Sequence, residues 1–514
     1  MRIVYVDLDS LRPDHTGPYG YRRPLTPNLD SVANRGVTFE RYYTSDSPCV
    51  PSRAALTTQR FGITTGAFGH QGADADVRFP PNRSHPPDAP FLGGHLARSG
   101  YHTAGISCFA ERHLAYWFHG NFMEFHRPSS SLGLDEDAAE VTDAAIDWLR
   151  RRGQDDDWFL FVNYWDTHTE YFVDQEWVDK AAASGPPPDW PDEATIAAHQ
   201  EVYGAHSAVD LHGGFGDPSR VPHSMPDAIR DRADFEHLIN GYDATVAYWD
   251  HHFGRLLEEL RDLGLLEDTA IIVSADHGEA FGEHGLYAEH GLAHEPAHRI
   301  PLVVAWPGLT EGLADEDRTH PGLFYSLDLG PTLCDLLGIE TPVGWHGRSF
   351  ADAIRGRPQD GRPYLVLSHG VHSFQRAVRT PDLLYIRTLH PGSYRVDPEE
   401  LYEIERDPRM TRNLMAEQPA RAADLKVMLS DWWHTYAGAP GAPVDPMQAA
   451  LERGPVLYTD PKRYLARLEE TGRSHLAADY RARLGAFLTD EDAVPAHELP
   501  KDVLGGRATQ DAAG

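Results

Sequence analysis

Cysteine is scarce in this chain. Cys49, Cys108 and Cys334 are the only three in 514 residues, too few for a disulfide framework and in keeping with a reducing cytoplasm. Lysine is scarcer for its usual abundance: Lys180, Lys426, Lys462 and Lys501 are all there are, so arginine supplies nearly all of the 46 basic residues. Those 46 face 78 acidic residues, a formal charge of −32. Such a balance argues against nucleic acid or an anionic membrane as the main partner. No apolar run reaches the roughly 18 residues that suggest a membrane span. The opening Met-Arg-Ile-Val-Tyr-Val-Asp reads as a strand rather than an apolar leader, and the cytoplasm is the expected location. An acidic, lysine-poor surface suits solubility in concentrated salt, although a GC-rich coding sequence also favours arginine.

What is present is ordinary globular material, 41% hydrophobic and 24% charged, which excludes a disordered or fibrous chain. Apolar, β-branched runs at 3–7, 37–42, 103–107, 158–164, 269–274 and 302–306 read as strands. Between them lie amphipathic stretches. Residues 136–152 alternate acidic residues with Ala, Ile, Trp and Leu. Residues 235–263 place Leu238, Tyr242, Val246, Trp249, Phe253, Leu257 and Leu260 on one helical face. Strands alternating with helices predict an α/β fold, a large, mainly parallel sheet sandwiched by helices, spanning residues 1–360. Residues 172–230, with Gly185-Pro-Pro-Pro-Asp-Trp-Pro, read as a long irregular insertion acting as a lid or substrate-binding loop. A smaller C-terminal α+β subdomain is expected over 361–440, with a strand at 383–387 and a helix near 420–436. A helical or irregular extension fills 441–514, beyond a Pro-Gly-Ala-Pro linker at 440–443.

Parallel sheets bind ligands beyond the carboxyl ends of their strands. Asp9 follows the first strand, His168 follows 158–164, and Asp276 with His277 follows 269–274. Any one of these could be a helix cap. Together they deliver carboxylates and imidazoles to one sheet edge, where mutual repulsion is most simply relieved by a cation. Cys49 precedes a helix that Pro51 can start. There the helix dipole favours an anion, and Arg53 lies one turn on along the same face. A guanidinium in that place suits a tetrahedral anion such as sulfate or phosphate.

Cys49-Val-Pro-Ser-Arg53 fits the C-x-P-S-R signature of the sulfatase family, within the alkaline phosphatase superfamily. The stretch from Asp9 to Gly20 resembles that family's first metal segment. Thr26-Pro-Asn-Leu-Asp30 resembles its first helix, Asp166-Thr-His168 its D-P-H-x-P segment, and Tyr242-Asp-Ala-Thr-Val246 with Asp250 its long helix. Ser274-Ala-Asp-His-Gly-Glu279 with Gly282-Glu-His-Gly285 resembles the second metal segment. Asp328-Leu-Gly-Pro-Thr-Leu333, Glu400-Leu-Tyr402, Asp407-Pro408 and Asn413-Leu414 resemble the closing segments. The likeness runs in order from residue 1 to about 436.

The resemblance implies an alkaline-phosphatase-like sandwich whose C-terminal part carries a small antiparallel sheet and a packed helix. It also implies that a maturation enzyme oxidises Cys49 to formylglycine. One hydroxyl of the formylglycine hydrate attacks sulfur, the alcohol leaves, and the other hydroxyl expels sulfate. Asp9, Asp276 and His277 match metal-ligand positions, Arg53 the residue that steadies the hydrate, and His168 a sulfate-contacting histidine. The chain also departs from the pattern. Ser10 replaces a second aspartate, leaving Asp7 as a substitute carboxylate, and an imidazole among so few ligands makes Mn²⁺ a rival to Ca²⁺. Gln59 stands where the maturation signature has glycine. Two lysines are missing: the G-K-W-H-L segment appears as Phe109-Ala-Glu-Arg-His113-Leu, and the second lysine falls on Glu289, followed by His290. His113 and His290 are the candidates to serve the leaving group, with Arg112 as a second cation.

The function expected from these residues is hydrolysis of a sulfate ester on a small molecule or saccharide, after conversion of Cys49 by a formylglycine-generating enzyme. The alternatives are a phosphodiester or phosphonate monoester hydrolase on the same scaffold, and an inactive anion-binding homologue.

Overall fold

The β-branched runs assemble into one nine-stranded sheet. The computed structural model of the chain describes residues 1–78, 89–129, 136–212, 221–438, 442–457 and 460–484. The sheet contains β1 (Arg2–Leu8), β2 (Val37–Tyr43), β4 (His102–Ile106), β5 (Glu124–His126), β6 (Trp158–Tyr164), β7 (Thr269–Ala275), β10 (Arg299–Ile300), β11 (Leu302–Ala305) and β12 (Thr319–Tyr325). Its order is β10-β2-β11-β7-β1-β6-β4-β5, with β12 on β2. The central pairs β7-β1, β1-β6 and β6-β4 are parallel; β11 runs antiparallel to both β7 and β2. Every residue of β6 and β7 is buried. Such strands must be apolar on both faces and therefore read as continuous rather than alternating runs.

The seven apolar positions of the long helix Arg232–Asp262 are all buried. Asp231 caps it by accepting from the Asp234 N–H, and Ala138–Arg152 packs beside it. The insertion proves more regular than expected. It holds helices Gln175–Ala183 and Glu193–His199, and Val178 and Ala181 of the first pack on Ala244 of the long helix. Residues 213–220 lie outside those described.

A second sheet contains β13 (Leu365–His369), β14 (Phe374–Arg379), β15 (Leu383–His390) and β16 (Glu399–Glu403), all antiparallel. Its fifth strand, β3 (Asp46–Ser47), comes from the segment just before Cys49 and pairs in parallel with Ser368 and His369. The second sheet thus reaches to within two residues of Cys49. Helix Pro419–Trp433 covers the second sheet through Leu425 and Trp432.

The extension is helical where described, with Pro446–Ala449, Pro461–Glu470 and Ala477–Leu484; residues 441, 458–459 and 485–514 lie outside that part. Tyr464, Leu468 and Tyr480 pack on Tyr203 of the insertion. Buried Asp210 accepts from the Tyr464 hydroxyl (2.6 Å), Arg473 Nη2 (2.6 Å) and Arg467 Nε (3.1 Å). Among the described residues, no helix is long and apolar enough to cross a membrane.

Candidate active site

Register brings the two aspartates together. Leu8 is level with Tyr164 on one side and Ala275 on the other. The next residue of each strand continues the ladder: Asp9 N–H donates to Tyr164 O (3.0 Å) and Asp276 N–H to Leu8 O (3.2 Å). Ser10 then turns the chain with a φ of 58°, and its N–H donates to Asp276 Oδ1 (3.1 Å).

Helix Cys49–Thr58 starts over this edge and is buried along its whole length. Ser52 Oγ donates to Asp276 O (2.7 Å). Cys49 Sγ lies 3.1 Å from His277 Nε2 and 3.8 Å from Asp9 Oδ1. One turn on, Arg53 donates from Nε to Asp7 Oδ2 and from Nη1 to Asp9 Oδ2, both at 2.8 Å. Nη1 also stands 2.7 Å from Asp276 Oδ2. Three buried carboxylates therefore share one guanidinium.

Electrostatics follow from that imbalance. Burial pushes Asp7 up to about 6 against the pull of Arg53. Burial, with Asp9 and Asp7 nearby, also raises Asp276 although Arg53 opposes it. At Asp9 burial acts in the same sense, but Arg53, His168 and His277 together outweigh it and hold the carboxyl below the ordinary range. Burial and then the neighbouring aspartates push the Cys49 thiol up, and burial holds His277 down to about 4, neutral and able to ligate. Asp276 Oδ2 is paired with Arg53 but accepts no well-directed hydrogen bond among the described residues, and His277 Nε2 lies 3.4 Å from it and 3.5 Å from Asp9 Oδ1. Two carboxylates and a neutral imidazole, with ligand atoms within 4.8 Å of one another and of Cys49 Sγ, fit a divalent cation. Asp7 stands apart, held by Arg53 and by Asn163 Nδ2 (3.0 Å). Ser10 Oγ reaches Asp9 Oδ1 (3.3 Å) and His277 Nδ1 (3.5 Å).

Histidines form the wall above Cys49. His168 stacks on Trp165 at 4.0 Å, and the His290 ring lies 4.3 Å from His277. One nitrogen each from His168 and His290 lies within 4.8 Å of Cys49 Sγ and of one another. His290 Nδ1 is 3.7 Å from Glu279 Oε1; Glu279 also accepts from Tyr171 OH and Thr169 N–H. His113 stands further out, its ring 5.1 Å from His70 and 5.9 Å from Trp165. Arg112 does not offer a loose cation: it lies over Trp165 at 3.8 Å and pairs with Glu136 at 2.6 Å.

At the lysine position, Glu289 turns into the protein. Its Oε1 accepts from His290 N–H (2.9 Å), its Oε2 faces His206 Nε2 (3.5 Å), and burial lifts it to about 8. Gln59 caps its helix at φ 57°, the left-handed geometry that favours glycine. Its side chain accepts from Gly330 N–H (3.0 Å) and donates to Leu56 O. Sequence reasoning missed His70, which has no motif around it, and Glu279 and Tyr171. Glu279 alone carried a signal, sitting two residues beyond His277.

The profile of the family described as Sulfatase matches residues 2–339, and that described as N-sulphoglucosamine sulphohydrolase, C-terminal, matches 282–431. An arylsulfatase of Clostridium perfringens is 24% identical over 460 residues, covering 80% of this chain and 90% of its own. A solved structure of a protein in complex with its substrate, D-glucosamine-2-N,6-O-disulfate, aligns with a TM-score of 0.65 at 19% identity, over 84% of this chain and 97% of the other. The phosphonate monoester hydrolase of Agrobacterium radiobacter aligns with 0.64 at 18%, over 84% and 95%.

Proposed function

Because the chain belongs to the sulfatase family, we propose that it hydrolyses a sulfate ester to an alcohol and sulfate, using a formylglycine made from Cys49 and one divalent cation held by Asp9, Asp276 and His277. The observation that carries this reading is the placement of Cys49 at a helix start, 3.1 Å from His277 Nε2 and beside two carboxylates with a shared deficit of positive charge. The cation, when bound, polarises sulfate oxygens and lowers the pKa of the attacking hydroxyl.

The remaining work falls to side chains already in place. The helix that begins at Cys49 turns the positive end of its dipole toward the anion. Among the described residues Arg53 Nη2 has no hydrogen-bond partner and is the donor left to steady the hydrate, while its other nitrogens hold Asp7 and Asp9 in place. His168 is positioned to contact the sulfate. His290 is the nearer proton source for the departing oxygen, and His113 acts, if at all, from the outer wall. Burial depresses the pKa of both, so a bound anion is needed for either to hold a proton near neutral pH. Calcium is the expected ion because carboxylates supply most of the charge, with manganese its competitor through His277.

A sulfated saccharide is the proposed substrate class, supported by the glucosamine disulfate bound to the structural relative. The acidic surface favours a small one over a long polyanion. The cytoplasm remains the proposed compartment, supported by three buried, unpaired cysteines; recovery of the native protein outside the cytoplasmic fraction would refute it.

Likeness to a phosphonate monoester hydrolase supports a second reading, phosphodiester or phosphonate ester hydrolysis. Peptide mass across residue 49, on protein coexpressed with a maturation enzyme, tests the nucleophile. Converted protein is then given an aryl sulfate and a bis-aryl phosphodiester, each with Ca²⁺ or Mn²⁺. Faster sulfate turnover is expected. Faster phosphodiester turnover establishes the second reading, and sulfate binding without turnover after confirmed conversion would identify an inactive anion-binding homologue.

A further inference from the structure

Beyond β6 the chain turns at once. His168 N–H donates to Trp165 O (2.9 Å), closing a four-residue β-turn over 165–168. Each later residue of the turn is pinned from elsewhere. Asp166 Oδ1 accepts from Ala138 N–H (2.9 Å) and Thr167 Oγ1 donates to Asp9 O, while His168 Nδ1 is engaged by the Thr169 carbonyl. With Nδ1 so held, Nε2 is the nitrogen left for an anion. The turn also lays the rings at its two ends against each other, 4.0 Å apart and only 17° from parallel.

A second planar group meets the same indole. The guanidinium carbon of Arg112 stands 3.8 Å from the ring centre. Planar groups in contact sit about 3.5–4.0 Å apart, so one face of the indole has no room for both. Arg112 and His168 therefore lie on opposite faces, and Trp165 is the middle layer of three. The outer layer is itself anchored, because Arg112 Nη2 donates at 2.6 Å to Glu136, whose side chain is fully buried. Arg112 ends the helical turn Phe109–Arg112, the segment in which lysine is missing. A lysine in its place could pair with Glu136 but could not lie flat on the indole.

We propose that Trp165 and Arg112 are positioning residues for the anion-contacting histidine: Arg112, anchored by Glu136, holds the indole from one side, and the indole holds the His168 ring from the other. Loss of either layer frees the His168 ring to rotate and carries Nε2 off the anion. The positioning role rests on the reading of His168 as a sulfate contact, whereas the three-layer stack does not.

The role is tested on converted protein with an aryl sulfate. Trp165→Leu keeps apolar bulk without a flat face, and Arg112→Lys keeps the charge; each should lower kcat/KM about tenfold or more. Trp165→Phe, which restores a flat ring, should stay within about threefold of the parent. With His168→Ala already present, Trp165→Leu should cost less than about threefold further. Equal losses in the two backgrounds, or no loss in either, overturn the role. A second readout needs no turnover and uses the full chain with Ca²⁺ and inorganic sulfate as the probe. The His168 ring-proton resonances, identified by their disappearance in His168→Ala, should lie upfield under the indole and move as sulfate is added. Trp165→Leu should shift them downfield and raise the sulfate concentration at the midpoint about tenfold or more. Unshifted resonances overturn the stack; an unchanged midpoint, or a parent signal indifferent to sulfate, overturns the role. Should Trp165→Leu fail to fold, Arg112→Lys carries both measurements with the same expected directions. Converted protein that cleaves no sulfate ester, while His168 keeps this response to sulfate, counts against the proposed function alone.

Discussion

Arg53 is the residue on which the centre turns, because Asp7, Asp9 and Asp276 all depend on its one positive charge. Removing one partner from a buried ionic group costs about 3–5 kcal/mol. Arg53→Gln should lower urea stability by about that amount in metal-free buffer and recover part of it when a divalent cation is added. A loss below about 1 kcal/mol would show that the carboxylates simply take up protons. Glu279 and Glu289 show the opposite pKa behaviour from a salt-bridged acid. Burial lifts both from the ordinary 4.5 to about 8, so between those values the folded chain holds protons that the unfolded chain releases. Their contribution to stability is complete below about pH 4.5 and is lost as pH rises through about 8. Glu289→Gln should make the fall in stability between pH 5 and 8 shallower by up to about 1.4 kcal/mol per pH unit. An unchanged slope in chemical denaturation would place the protonation elsewhere. Asp9, Cys49, Asp276 and His277 were legible because each follows a strand or opens a helix. The grip of Asp7 on Arg53 was not, since it depends on where a helix lands over a strand 46 residues away in sequence.

At the scale of elements, the clamp on Asp210 decides how firmly the insertion is held. Arg473, Arg467 and Tyr464 all converge on that one carboxylate, and the Asp210–Arg473 pair is almost fully buried. A double-mutant cycle with Asp210→Asn and Arg473→Ala should give a coupling of about 1–3 kcal/mol. Hydrogen exchange at residues 204–210 should speed up in either single variant, and additive effects without faster exchange would refute the clamp. The central strands and the long helix could be read from sequence because burial on two faces, or on one helical stripe, dictates residue type. The helices Gln175–Ala183 and Glu193–His199 could not. They are short, and the prolines and glycine between them dominate the local pattern. Strand β3 is two residues long and has no periodicity to detect; it exists because β13 offers it partners from far along the chain.

For the molecule as a whole, a charge of −32 imposes self-repulsion that added salt screens. Melting temperature should therefore rise between low and molar sodium chloride, by about 1 °C for each kcal/mol of repulsion relieved in a chain of this length. A flat profile by calorimetry would leave the acidic surface with no role in salt adaptation. The junction of the two sheets at Asp46 and Ser47 has another consequence, one of timing. Ser47, which opens the Ser-Pro-Cys49 turn, finds its strand partner only when His369 has been synthesised, roughly three hundred residues later. At about 5–20 residues per second on the ribosome, the segment bearing the thiol waits tens of seconds for the other half of its sheet. For that interval it is presented to the cell as an unpaired stretch of nascent chain.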